Sequence, residues 1–169
     1  MFHKTLKLKN MGLLSFVKSA GEKLFGKKEE EEVAVAHTGA TQDTLRAKLI
    51  ERFVVKHNLS VSQLNVQING DTVTVSGEAD NNETREKVGL ICGNIEGIEA
   101  VTNHISVAVE QEESRYHAVV SGDTLSKIAK TMYGDAMKYP VIFEANKPML
   151  AHPDKIYPGQ LLRIPAVVA

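Results

Sequence analysis

The sequence has no tryptophan, a single cysteine and an aromatic content of 5%. It therefore offers neither the bulky rings of a large core nor a disulfide framework to replace one. With only Cys92, folding is left to side-chain packing, whichever redox compartment the chain occupies. Charge of one sign is also missing. Twenty basic residues stand against twenty-one acidic ones, a net charge of −1, so no electrostatic footprint for a polyanion exists and nucleic acid is not expected as a partner. No apolar run reaches the roughly 18 residues of a membrane span, so no integral membrane segment is expected. Signatures of catalysis are lacking too. Ser121 and Ser126 have no recognisable His/Asp arrangement, Cys92 falls in an apolar helical stripe, and neither paired carboxylates nor a P-loop is present. The expectation is a protein that is not an enzyme, with no catalytic residue. The six histidines (His3, His37, His57, His104, His117 and His152) are scattered, and no carboxylate cluster has the spacing of a calcium loop.

The first forty residues read as an N-terminal extension, an amphipathic helix and a charged linker. Lys4, Lys7 and Lys9 precede an apolar patch from Met11 to Val17, but Lys18 interrupts it and Glu22-Lys23 follow. A secretory signal would continue into a longer apolar region and a small-residue cleavage site. The cytoplasm is therefore the predicted location, with the periplasm or cell envelope as the alternative. Met11-Gly12 reads as a natural start, which makes residues 1–10 an extension. Leu13, Phe16, Val17, Ala20 and Leu24 fall on one stripe of a helix. So short a helix needs something to dock on, and its own protein is the expected surface. Lys27-Lys28 with Glu29 to Glu32, and then Thr38-Gly39-Ala40, read as a solvated linker.

A second unit spans 41–110. Leu45, Leu49, Ile50, Phe53 and Val54 have helical period, after which the period falls to two: Val66 and Ile68, then Asn69-Gly70, then Val73 and Val75. Asn-Gly between alternating runs predicts a hairpin whose two turn residues both take positive φ. Asp80 and Glu83 suggest a capping box for a helix carrying Val88, Ile91 and Cys92, which Gly93 stops. Val101, Ile105, Val107 and Val109 read as a third strand. The order α-β-β-α-β predicts a three-stranded sheet with two helices on one face. A polar connector, 111–115, leads to a third unit, 116–169. It contains a strand at 117–120, a helix capped by Asp123 with Leu125, Ile128, Ala129 and Met132 inside and Gly134 at its end, a second helix over 136–145, and a strand at 160–164. Pro148, Pro153, Pro158 and Gly159 shape the long turn before that strand. The fold class is α+β.

Ser121 to Leu125, Ile128-Ala129, Tyr133-Gly134, Ile142, Asn146 and Ile156 to Pro165 together resemble a LysM domain, matched end to end. The resemblance implies a β-α-α-β module that binds N-acetylglucosamine glycans such as peptidoglycan. Its groove would involve Gly122, Asp123, Thr124, Leu125, Asn146, Ile156, Pro158 and Gly159. His117 stands where that family usually has an aromatic residue, with Tyr116 one place earlier. Taken singly, Asp123 is equally an N-cap and Pro158-Gly159 a turn, so the motif argues for the fold before it argues for a working groove. The helix, the hairpin with Val73-x-Val75-x-Gly77, and Asn94-Ile95-Glu96-Gly97-Ile98 before Val101 resemble a BON domain, a module linked to membranes and osmotic stress. In order, Met11 to Leu24, one BON, one LysM and Phe143 to Leu150 resemble small bacterial BON–LysM potassium-binding proteins. That resemblance implies a cytoplasmic monomer that senses or buffers potassium ion, compacts on binding it and needs no organic cofactor.

Main-chain carbonyl groups can replace the hydration shell of potassium. They become available at helix C-termini and in irregular glycine-containing loops. Gly93 to Ile98 is such a loop directly after a helix, so Gly93, Ile95 and Ile98 are candidate ligands through their carbonyls. Val17 and Ala20, near the end of the N-terminal helix, are the others, which would place the ion between that helix and the second unit. The competing reading is an envelope protein whose LysM module holds glycan.

Overall fold

The structure, a computed structural model, describes residues 13–15 and 39–167. Helix α1, Gly39–Lys56, buries Ala47, Leu49, Ile50 and Val54 along one face. It ends where Asn58 turns left-handed (φ 56°) and the Leu59 N–H reaches back to the Val54 carbonyl, a stop that asparagine tolerates better than other side chains. Strands β2, Val61–Asn69, and β3, Thr72–Ala79, form an antiparallel hairpin. Its turn is Gly70-Asp71, one residue later than Asn69-Gly70, and only Gly70 has positive φ. The pairs Ile68↔Val73 and Val66↔Val75 set this register, which stacks the apolar face of one strand on that of the other.

Helix α2, Asn82–Gly93, crosses over to strand β4, Ala100–Val107, which lies parallel to β3 in unbroken register from Thr72↔Ala100 to Ala79↔Val107. Asn81, not Asp80, caps α2 by accepting from the Thr84 N–H at 2.8 Å, and Glu83 pairs with Lys87 instead of reaching back to close a capping box. The expected amphipathic helix is corrected at its start. Leu13–Ser15 is a strand, β1, antiparallel to β4. The sheet therefore has four strands in the order β1-β4-β3-β2, not three. An outer edge of β4 carries a row of N–H and C=O groups, and an extended segment satisfies them where a helix cannot. Phe16, Val17, Ala20 and Leu24 lie outside the described residues.

The second module is β5, Arg115–Ala118, helix α3, Leu125–Tyr133, a 3₁₀ turn at Ala136–Lys138, helix α4, Tyr139–Ala145, and β6, Leu161–Ile164, antiparallel to β5. Thr124, not Asp123, is the N-cap of α3, and left-handed Gly134 (φ 76°) closes it. The single helix expected over 136–145 is split. Pro140 has no N–H to donate to Ala136, so the first residues wind as 3₁₀ and the α-helix begins at Tyr139. The α+β class and the element orders α-β-β-α-β and β-α-α-β stand. The two modules share one apolar core, running from Val73, Val101 and Leu90 to Leu150, Leu162 and Ile164.

Candidate functional site

The predicted ion loop sits where the two modules meet. Nine of the twelve residues of α2 are buried, because the helix has the sheet on one side and β6 on the other. Its C-terminal end delivers the chain into Gly93–Ile98, so the negative end of the helix dipole faces the loop. Asn94 caps the helix through its own N–H to the Leu90 carbonyl at 2.9 Å. Ile95 and Ile98 are buried pegs that hold the loop down, and the Ile98 N–H donates to the Ile95 carbonyl at 3.2 Å. Gly97 takes φ 87°, a left-handed conformation that favours glycine. Gly93, Ile95 and Ile98 are thus brought into one loop, while Val17 and Ala20 lie outside the described residues.

Three neighbours hold this loop from outside. The hairpin tip receives its exit: the Asp71 carbonyl accepts from the N–H groups of Glu99 at 2.8 Å and Ala100 at 3.2 Å. Arg46 on α1 donates to the Glu96 carbonyl at 3.2 Å and to the Gly70 carbonyl at 3.4 Å. The third neighbour is β6. The Asn94 carboxamide accepts from the Leu161 N–H at 2.9 Å and donates to the Leu161 carbonyl at 3.0 Å. It thereby behaves like one residue of an adjacent strand. Two residues along, Asn146 does the same at Arg163, accepting at 2.8 Å and donating at 2.8 Å. The Tyr157 hydroxyl adds a bond to the Asn94 carbonyl at 3.4 Å.

A second fastening lies two turns up α2. Glu86 is fully buried and forms an ion pair with Arg163 of β6. It also accepts from the Asn82 amide at 3.1 Å and from the Ser114 N–H at 2.9 Å. Burial, reinforced by the Glu86 charge, pushes the Tyr116 phenol above its ordinary range. Neither Asn94 nor the Glu86–Arg163 pair was singled out from sequence as a site. The available signal was an amide residue directly after the stop glycine, and a Glu and an Arg whose positions in their elements are those of surface residues. Burial, only partly offset by a backbone hydrogen bond, pushes the Cys92 thiol up to about 12, so it is held as the thiol. Among the described residues no group of three His, Cys, Asp or Glu side chains could hold a metal ion.

The glycan-groove candidates divide. Leu125 and Asn146 are buried, one in the core and one on β6. The Thr124 hydroxyl accepts from the Lys127 N–H, and the Gly122 carbonyl accepts from the Lys127 ammonium at 2.8 Å. Asp123 accepts from the Val120 N–H and bonds His117 Nε2 at 2.8 Å. Burial raises its carboxyl, but these hydrogen bonds and the His117 and Lys127 charges outweigh that and leave it below the ordinary carboxylate range. The Gly159 N–H donates to the Val119 carbonyl and the Val119 N–H to the Gln160 carbonyl, so the loop before β6 is stitched to the end of β5. Ile156 is half-buried, and Gly122, Thr124 and Pro158 are exposed.

Residues 41–109 match the family model of the BON domain, and residues 117–165 that of the LysM domain. The chain is 44% identical over 156 residues to "Potassium binding protein Kbp" of Escherichia coli O6:H1, an alignment covering 92% of this chain and 99% of that protein. It is also 30% identical over 137 residues to a Deinococcus radiodurans protein named "Uncharacterized protein", covering 73% of this chain and 53% of that one.

Proposed function

The chain belongs to the family of potassium binding protein Kbp, a BON domain followed by a LysM domain, and we propose that it too is a potassium-ion-binding protein. The observation that carries this reading is a likeness running through 99% of the relative, across both modules and the junction between them. The geometry agrees with it: a helix C-terminus runs into a glycine-containing loop that is held at its entry, middle and exit. In this reading the ligands are the main-chain carbonyls of Gly93, Ile95 and Ile98, joined by those of Val17 and Ala20. Uncharged carbonyl oxygens suit a monovalent cation better than a divalent one, which asks for carboxylates. The role is binding, as sensor or buffer, and not catalysis. The protein acts as a monomer in the cytoplasm, and ion binding compacts it.

Calorimetric titration and thermal melting in KCl beside NaCl test the reading. A ligand that binds only the folded state stabilises it by about 2.7 kcal/mol at a hundred times its dissociation constant. Heat on adding KCl, and a higher melting temperature in KCl than in equimolar NaCl, are the expected results. Equal heats and equal melting temperatures in the two salts overturn the proposal. The LysM match, with Gly122, Thr124 and Pro158 exposed on its loops, supports a second reading, the binding of N-acetylglucosamine glycans. Retention on insoluble peptidoglycan, competed by soluble oligomers, is the outcome expected of that one.

A further inference from the structure

Arg46 lies fifty residues before Glu96 in the chain, yet its guanidinium rests against the ion loop. One nitrogen donates to the Glu96 carbonyl at 3.2 Å and another to the Gly70 carbonyl at 3.4 Å, so the planar fork bridges the loop and the hairpin tip. A methyl group built on Gly97 would lie 3.5 Å from the same guanidinium, so the fork reaches Gly97 as well as the Glu96 carbonyl. Asp43 completes the frame. Its carboxylate accepts from the Gly70 N–H at 2.9 Å and pairs with Arg46 at 3.7 Å. Holding the Glu96 carbonyl toward Arg46 fixes the plane of that peptide. It thereby fixes the directions available to the carbonyls on either side of it.

We infer that Arg46 is a positioning residue of the potassium loop, one that sets which monovalent cation the carbonyls of Gly93–Ile98 accept. This rests on the potassium reading above. A guanidinium has no acceptor to offer a cation, so Arg46 is no ligand itself. It acts through Glu96 and Gly97, as an outer layer that orients the groups making contact. The geometry and field of a carbonyl ring decide between cations of one charge, so a change in peptide orientation alters the preference and not only the affinity. The positive charge of Arg46 by itself opposes a nearby cation. Orientation and charge thus act with opposite signs, and two substitutions separate them.

The experiment titrates the full chain with KCl and, separately, with RbCl, as wild type, Arg46→Lys and Arg46→Gln, with melting of each in ion-free buffer. Arg46→Lys keeps the charge and loses the fork; Arg46→Gln loses both. Both variants are expected to lose about tenfold in potassium affinity, the usual cost of removing an outer-layer partner, and to shift the potassium-to-rubidium ratio. Equal weakening toward both ions, in step with a lower ion-free melting temperature, would make Arg46 a structural residue only and overturn the inference. So would tighter potassium binding by Arg46→Gln with Arg46→Lys unchanged, the signature of charge alone. If wild type gives no potassium heat, the potassium reading falls and this inference with it. If wild type binds and neither variant differs from it, the inference alone falls.

Discussion

At the scale of residues, the junction depends on side chains that do the work of backbone. Asn94 and Asn146 complete the outer edge of β6 at Leu161 and Arg163, where a neighbouring strand would otherwise supply both a donor and an acceptor. Glu86 is a different case, because the ion pair it makes is buried. Its attraction to Arg163 is set against the cost of taking two charges out of water, so the pair as a whole contributes little while either half alone is costly. Glu86→Met or Arg163→Met alone is accordingly expected to destabilise the protein by about 3 kcal/mol, and the two together to recover most of that loss. Urea denaturation of the two single variants and the double variant forms the cycle that measures it. Additive losses in the double variant would show that Glu86 and Arg163 do not act as a pair.

At the scale of elements, Gly77 and Gly70 separate two uses of glycine in one hairpin. Both have positive φ, 148° and 63°. A Cβ at Gly70 would meet nothing within 4 Å, whereas one at Gly77 would sit 2.7 Å from Val61 Cγ1 and 2.8 Å from the Ser62 carbonyl oxygen. Gly77 lies opposite the bulge between Ser62 and Asn65, where Gln63 is itself left-handed. Gly70→Ala should therefore cost about 1 kcal/mol in backbone strain alone. Gly77→Ala should cost about 3 kcal/mol, because it adds a clash with main chain to strain of the kind worth 1–3 kcal/mol. Denaturation midpoints rank the two, and equal losses would contradict the role given to the bulge.

The same hairpin shows how far elements were legible in the sequence. Its existence and the glycine in its turn were readable from alternation. Its register was not, because Asn69-Gly70 is a strong local signal and the choice of Gly70-Asp71 depends on the distant pairing of Val66 with Val75. The helix at 82–93 was readable from Val88, Ile91 and Cys92, but that stripe describes only the face toward the sheet. The opposite face is polar in sequence and buried in the fold, because its cover, β6, lies some seventy residues further on. Leu13–Ser15 fits a helical stripe and is a strand for a similar reason. Three residues carry too little pattern to reveal the sheet edge they join.

At the scale of the whole molecule, the candidate ion loop and the joint between modules are one place. The site was legible as a glycine-containing loop after a helix, which is local information. That Asn94 joins the first residue after that helix to β6 is a tertiary fact with no local trace. It has a thermodynamic consequence. Two small modules that merely followed one another would unfold separately, whereas these share an apolar core and two polar fastenings. Wild-type protein is therefore expected to melt in a single transition, with calorimetric and van't Hoff enthalpies equal. Combining Asn94→Ala with Arg163→Ala removes both fastenings, leaves Glu86 buried without its partner, and should split that transition or raise the enthalpy ratio clearly above one. The second module should be the first to melt, since its two-stranded sheet then has one edge bare at Leu161. If the double variant still melts as one unit, with equal enthalpies, the apolar core, with the Tyr157 hydroxyl on the Asn94 carbonyl, is enough to join the modules. The polar fastenings would then serve to align α2 and its loop against β6 and not to couple the two modules.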